Sequence, residues 1–176
     1  MYRERIGMAY PQFKNKHLEK SLFSPEDFVT WQRYLKRHPK RKPKKYIIVY
    51  YPYLLDYFKR KYKPIKIKLY RLITIYRYKD IAAVLMTGIG APHAATVLEE
   101  LIGLGGREFI NIGTAGGLHR FGVFLCQRAI RDEGTSHHYI AAGKYSYPDK
   151  TLTEKLGTCI RRKGIAFERG STWTID

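Results

Sequence analysis

Residues 81–117, IAAVLMTGIGAPHAATVLEELIGLGGREFINIGTAGG, decide the fold of this chain. A continuously apolar segment, 81–86, and a largely apolar one, 109–112, each run into a glycine-rich turn. Between them, from about Pro92 to Leu104, apolar residues recur at helical spacing. The order strand, glycine turn, helix, strand predicts a βαβ unit whose two strands are parallel and buried on both faces.

The flanking sequence extends this unit into an α/β domain. We predict one domain over residues 1–176, with an N-terminal helix and basic linker at 1–45 and an α/β core at 46–176. Its further elements are predicted as a helix from the N-cap Ser24 to about His38, a buried strand at 46–51, a helix at 53–62, a hairpin or bent strand at 65–80, a strand at 123–130, a helix at 152–163 capped by Gly164, and a strand beginning at 165–167.

The net charge of +18 is concentrated in the N-terminal half. Residues 1–80 contain 22 Lys and Arg against 6 Asp and Glu, whereas the remainder contains 11 against 9. Such a surface attracts phosphate, nucleotides or nucleic acid, and it is also typical of a solvated or heat-adapted protein surface. We favour the solvated surface and do not expect nucleic acid as a partner, although basic residues interleaved with tyrosines leave nucleic-acid binding as an alternative.

Targeting and metal signals are absent from the sequence. It contains no run of 18 apolar residues and no secretory leader, so we expect a cytoplasmic protein without a membrane span. Cys126 and Cys159 have no CxxC spacing, which favours two buried thiols over a zinc site. We therefore expect no bound metal.

The two glycine turns of the βαβ unit are the candidate site. Parallel strands deliver their carboxyl ends to the same edge of a sheet, where α/β proteins bind ligands. Gly88 and Gly90 allow a ligand to approach the backbone, and the following helix presents free N–H groups to an anion. The hydroxyl of Thr114 lies in the second turn, so it is a candidate for binding a phosphate or a sugar hydroxyl. Tight turns without a ligand are the structural alternative.

Residues 132–139, DEGTSHHY, concentrate polar groups directly after an apolar strand. Loops of this composition at a sheet edge are often functional. His137 and His138 are adjacent and cannot both face one metal ion from a strand, and further ligands are not suitably spaced. Because the Gly-x-Ser-x-Gly pattern is absent, Ser136 is a poor candidate for a nucleophile.

Five motifs resemble those of one enzyme family. They are 87–92 (TGIGAP), 99–105 (EELIGLG), 111–118 (NIGTAGGL), 129–136 (AIRDEGTS) and 170–174 (GSTWT). In this order they resemble the nucleoside phosphorylases, namely the uridine phosphorylases and their purine-cleaving and methylthioadenosine-cleaving relatives. Residues 24–80 resemble that family more loosely.

The resemblance implies a three-layer αβα fold with a central mixed, mostly parallel sheet. It implies a pentosyl transfer, in which phosphate as co-substrate attacks the anomeric carbon of a nucleoside, uridine above all, without a cofactor. Thr114 would contact phosphate and ribose, and Gly88, Gly90 and Gly116 would line the same pocket. It also implies a homo-oligomer, dimer or hexamer, in which His17 would reach a neighbouring subunit. No catalytic residue is assigned.

Two departures leave alternatives open. The family carries Gly-Asp-Pro and an Arg after the first strand, where this chain has Tyr50-Tyr51-Pro52-Tyr53, and Asn111 stands at the position of a second phosphate-binding Arg. Nucleoside hydrolases of the same superfamily also carry Asn there, so water is the alternative nucleophile. We further expect a C-terminal truncation after Asp176, which would remove the aromatic residue that stacks on the base. A catalytically inactive nucleoside- or nucleotide-binding homologue is the remaining alternative.

Overall fold

The computed structural model describes residues 15–35, 42–69 and 73–174. Their helices and strands are α1 (Pro25–Tyr34), β1 (Lys45–Val49), α2 (Pro52–Tyr62), β2 (Ile65–Lys68), β3 (Thr74–Tyr78), β4 (Ile81–Leu85), α3 (Ala91–Gly103), β5 (Glu108–Ile112), β6 (Phe124–Arg131), β7 (Tyr145–Ser146), α4 (Lys150–Arg162) and β8 (Glu168–Thr174). The chain forms two compact units. Of the described residues, those between 22 and 120 form the five-stranded unit, and residues 15–21 with 121–174 form the three-stranded unit.

The five-stranded unit contains a mixed sheet in the order β2-β3-β4-β1-β5. Strand β1 lies between β4 and β5 and is parallel to both, as the βαβ prediction requires. Strands β2 and β3 form the predicted antiparallel hairpin, and β3 is antiparallel to β4. The outer strands of the sheet are therefore β2 and β5. The prediction that the strand at 109–112 is buried was wrong, because β5 lies at the end of the sheet and exposes Asn111 and Ile112.

Helices cover both faces of this sheet, because alternate residues of β1 point to opposite sides. Ile48 packs in one core with Val97 and Leu101 of α3, and α1 contributes Val29 to the same core. Val49 faces the other way and packs with Leu55 of α2. The predicted α/β fold with helical layers on both faces of a mixed sheet is confirmed.

The three-stranded unit has the strand order β7-β6-β8. Strand β6 is parallel to β8 and antiparallel to β7. Helix α4 packs close to the sheet at Gly157, where an added Cβ would stand 3.2 Å from Cδ2 of Leu125. The strand predicted at 123–130 thus belongs to this second sheet.

Two predicted boundaries were wrong. Helix α1 begins with the predicted capping box between Ser24 and Asp27, but it ends at Tyr34, where the N–H of Leu35 bonds the carbonyl of Trp31. Strand β8 begins at Glu168, later than predicted, because the N–H of Ile165 still bonds the last turn of α4 after Gly164, whose φ is +69°. Residues 36–41, which include the first three residues of the predicted basic linker, lie outside the described residues.

Among the described residues, no helix is long and apolar enough to cross a membrane.

Candidate functional site

The two predicted glycine turns leave the five-stranded sheet at one edge. Val49, the last residue of β1, is in register with Leu85 of β4 on one side and with Ile112 of β5 on the other. The turn that contains Gly88 and the loop that contains Thr114 therefore begin at the same level, separated by one strand. Neighbouring strands lie about 4.8 Å apart, so the two loops start roughly 10 Å from each other.

The first turn is closed by a side chain from α3. The Nε2 atom of His93 lies 3.2 Å from Oγ1 of Thr87, and the imidazole rests on the backbone of Gly88. A Cβ at Gly88 would stand 3.1 Å from the ring, so a larger residue there would displace the imidazole. Gly90 has a φ of +87° and precedes α3 as its N-cap, a conformation that residues with a Cβ rarely adopt.

The second loop is open. Gly116 and Thr114 are exposed, and nothing lies within 4 Å of a Cβ built on Gly116. The Thr114 hydroxyl makes no hydrogen bond within the described part of the chain, which leaves both its donor and its acceptors available. At the start of this loop, a Cβ added at Gly113 would stand 3.2 Å from Cδ2 of Tyr50, so the ring of Tyr50 lies close to this glycine.

Tyrosines occupy the space beyond β1. Tyr50 is partly buried against the hydrophobic core, and its ring lies next to Gly113 at this edge of the sheet. Tyr51 and Tyr53 are exposed, and their ring centroids lie 5.2 Å apart. No basic residue occurs between Tyr50 and Phe58, and Asn111, in β5, is exposed. This edge therefore offers hydroxyls, backbone N–H groups and aromatic rings to a ligand.

A second polar cluster lies in the three-stranded unit. The buried Arg131 guanidinium donates to Oγ of Ser136 at 2.9 Å and to the carbonyl of Ala141 at 2.7 Å. Buried Glu133 accepts the N–H of Ser136 at 2.8 Å. Burial alone would raise the pKa of Glu133, but hydrogen bonds from Ser136 and Thr135 outweigh burial and hold that pKa below its usual range.

His17 also lies in this unit. It belongs to a 3-10 turn, Lys16–Leu18, which packs against the 3-10 turn Thr135–His138 of the same chain.

Over the described residues, no group of three or more His, Cys, Asp or Glu is arranged to hold a metal ion. Cys126 is a free thiol of intermediate burial and Cys159 an exposed one, so the prediction of two buried thiols was wrong.

The family of the chain follows from a family model. The model of the phosphorylase superfamily matches residues 47–176, which contain both glycine loops and the polar cluster. This chain belongs to the phosphorylase superfamily. The family predicted from the five motifs is thereby confirmed.

Three uridine phosphorylases illustrate how far the similarity extends. The one from Treponema pallidum is 42% identical over 78 residues, which are 42% of this chain and 30% of the relative. That from Thermococcus kodakarensis is 30% identical over 105 residues, 57% of this chain and 38% of the relative. That from Escherichia coli K12 is 33% identical over 121 residues, 65% of this chain and 48% of the relative. The chain thus matches less than half the length of each of these relatives.

Two solved structures share the fold of this chain. An AMP nucleosidase from Bacteroides thetaiotaomicron matches with a TM-score of 0.73 and 22% identity over 87% of this chain and 69% of its own. A uridine phosphorylase from Vibrio fischeri matches with a TM-score of 0.64 and 23% identity over 77% of this chain and 59% of its own. Both confirm the α/β architecture.

The structure also reveals residues that sequence reasoning missed. His93 lies five residues after Gly88 in the sequence but packs on it in space, because α3 turns its first side chains back toward the preceding strand. Arg131 is the last residue of β6, and its bonds with Ser136 and Ala141 depend on a loop conformation. Its position directly after Ala129 and Ile130 was the available signal that its charge is buried.

Proposed function

We propose that this chain carries out the pentosyl transfer of a nucleoside phosphorylase, with uridine as its nucleoside. The observation that carries the proposal is the shared edge of β4 and β5, where exposed Gly116 and the free hydroxyl of Thr114 face solvent at the level of the Gly88 turn. The match to the superfamily across residues 47–176 supports it. The relatives named uridine phosphorylase favour uridine over other nucleosides.

In this proposal Gly88, Gly90, Thr114 and Gly116 bind the ribose and the phosphate. The glycines allow close approach of the ligand to backbone N–H groups, and the Thr114 hydroxyl orients an anionic oxygen. Phosphate attacks the anomeric carbon and the base leaves, so the protein contributes position and charge stabilisation and needs no cofactor. We further propose one domain over residues 1–176, a cytoplasmic location and a homo-oligomer, dimer or hexamer, in which His17 contacts a neighbouring subunit.

The decisive experiment measures uracil release from uridine by the purified chain, with and without phosphate. We expect release that requires phosphate. Thr114→Val, which removes the hydroxyl and keeps the shape, should lower the rate roughly tenfold, the usual cost of a hydrogen bond to a charged partner. Thr151→Val, at an exposed position on α4, is the matched control and should leave the rate unchanged.

The second candidate function is a nucleosidase that uses water. Asn111 favours it, because an exposed amide stands where the resemblance implies a phosphate-binding Arg. Release of base at the same rate without phosphate would identify this activity. Nucleoside binding in calorimetry without any base release would instead leave an inactive binding homologue, and no binding would refute all three.

A further inference from the structure

A basic surface lies on the five-stranded unit, at the end of its sheet opposite the glycine turns. Residues 57–79 contain nine Lys and Arg and no Asp or Glu. Helix α2 leaves the carboxyl end of β1 and runs back to the start of β2, which pairs with the end of β3. The end of β3 pairs in turn with the beginning of β4, whereas the first glycine turn follows the end of β4. The surface is therefore separate from the proposed ribose and phosphate site.

Helix α2 places its cations against the tyrosines of the hairpin. The Nζ atom of Lys59 lies 4.9 Å from the centroid of the Tyr76 ring. Lys66 of β2 is in register with Tyr76, so both side chains lie on the same face of the sheet. The ring centroids of Tyr62 and Tyr78 lie 5.2 Å apart. Ammonium groups and aromatic rings are therefore interleaved on one face of this unit.

The outer side of α2 combines an exposed ring with an oriented cation. Tyr57 is 56% exposed. Lys61, one helical turn later, donates from Nζ to the Tyr57 hydroxyl at 3.2 Å, and the same ammonium lies 5.4 Å from the ring centroids of both Tyr57 and Tyr62. An exposed ring that is held in one orientation loses little entropy when a flat group stacks on it.

Two lysines extend this surface from strained backbone positions. Lys63 has a φ of +44° and Lys79 a φ of +54°, in the left-handed region where glycine or asparagine is usual. Ile65 pairs with Arg77 in the hairpin, so both lysines lie at the same end of it. Each therefore adds an exposed positive charge where the backbone conformation favours another residue.

The charge of this surface is largely unbalanced and calls for an anionic partner. Asp56, which binds Lys59 at 2.9 Å, is the only acid in α2, β2 and β3. The apolar side of α2 is buried in the core through Leu55 and Phe58, so it is not available to insert into a membrane. Tyrosines beside cations are instead the groups that bind the bases and phosphates of a single strand.

We propose that this basic surface binds single-stranded nucleic acid. The ammonium groups of Lys61, Lys63 and Lys79 contact phosphates, and the exposed Tyr57 ring stacks on a base. Composition alone favours a solvated surface, whereas the placement of cations beside an exposed, oriented ring favours binding. The surface goes beyond the proposed function, and its test needs no turnover.

Salt titrations of the full chain test the electrostatic part of the proposal. Fluorescence anisotropy with a labelled oligothymidylate of about 20 nucleotides should show binding that weakens roughly 20-fold or more between about 50 and 200 mM salt, because three phosphate contacts in a single strand give a logarithmic slope of about −2. Lys63→Gly with Lys79→Gly, which suits the backbone at both positions, should reduce this slope by about 1.4.

The matched control removes the same charge from the two ends of α4. Lys150→Gln with Lys163→Gln, both at exposed positions, should leave the slope unchanged. Equal slopes in the two double variants, or no binding by the unchanged chain, would overturn the proposal.

Variants of Tyr57 test the stacking. Tyr57→Ala should weaken binding of the same oligonucleotide roughly five- to 150-fold, the range for one base–aromatic stack, and Tyr57→Phe should retain most of the affinity. Tyr147→Ala, which removes an exposed ring of the three-stranded unit, is the control and should bind normally. Equal affinities of Tyr57→Ala and Tyr147→Ala would refute the proposal.

Further probes separate a single strand from other polyanions. The affinities for inorganic polyphosphate and for a DNA duplex should not change in Tyr57→Ala, because neither probe offers an unstacked base. A loss of the same size for polyphosphate would show that Tyr57 acts only by orienting Lys61, which overturns the proposal. Phosphatidylserine vesicles that displace the oligonucleotide at an equal concentration of anionic groups would identify a membrane surface instead.

Discussion

The two sheet ends of this molecule hold their loops in opposite ways. In the five-stranded unit, the loop after β5 is exposed, and nothing in the described part of the chain lies within 4 Å of a Cβ built on Gly116. In the three-stranded unit, the loop after β6 is fixed by buried Arg131 and Glu133, which bind the same serine. One loop leaves its polar groups free for a ligand, whereas the other uses buried charges to position the groups that remain exposed.

The largest effect is expected from removing Arg131, which fixes the loop after β6. We call this loop, residues 132–144, the braced loop. Arg131→Ala should lower the free energy of unfolding by about 3 kcal/mol, because it removes two strong charge-assisted hydrogen bonds and leaves their acceptors without a donor. Urea denaturation followed by circular dichroism measures this change. Arg169→Ala, which removes a partly exposed ion pair with Glu154, is the control and should cost less than about 1 kcal/mol. Equal losses would show that Arg131 does not brace the loop.

A smaller loss is expected at the first glycine turn of the open edge. Gly90→Ala should cost about 1 to 2 kcal/mol, because Gly90 has a φ of +87° and a Cβ disfavours that conformation. Thermal unfolding at one pH measures the difference from the unchanged chain. An unchanged melting temperature would mean that the turn adopts another conformation.

Glu133 gives the braced loop a pH dependence. Because hydrogen bonds hold its pKa in the folded chain below that of an unfolded chain, its contribution to stability is present at neutral pH. This contribution is lost as the pH falls from about 4.3 through the folded-state pKa. Glu133→Gln should therefore cost about 1 kcal/mol at pH 7, and the difference from the unchanged chain should shrink below about pH 4. A difference that stays constant in urea titrations at both pH values would contradict this.

The smallest effect is expected at the exposed loop. Gly116→Ala places a methyl group in open space at a position without a positive φ, so the free energy of unfolding should change by less than about 0.5 kcal/mol. If the loop binds ribose and phosphate, the same substitution should raise the KM for uridine. Unchanged stability with unchanged KM would remove Gly116 from the proposed site.

Residue patterns predicted the two glycine turns after β4 and β5 better than the braced loop after β6. The apolar run at 81–86 and the largely apolar segment at 109–112 are followed by glycines, and such patterns follow from local burial and turn chemistry. The contacts of Arg131 and the packing of His93 on Gly88 depend on chain folding between non-adjacent residues, which periodicity does not encode. Strand β7 has two residues, too few for an alternating pattern to indicate.

The outer strands of the five-stranded sheet differ in how they resist strand addition. Strand β2, with the sequence IKIK, exposes Lys66 and Lys68, and lysines on an outer strand repel a second strand that would pair there. Strand β5 has the sequence EFINI, which carries no charge after Glu108. Aggregation of this unit through strand addition should therefore begin at β5. Solution conditions that weaken hydrogen bonding between β5 and a strand of another chain should reduce aggregation in concentrated samples.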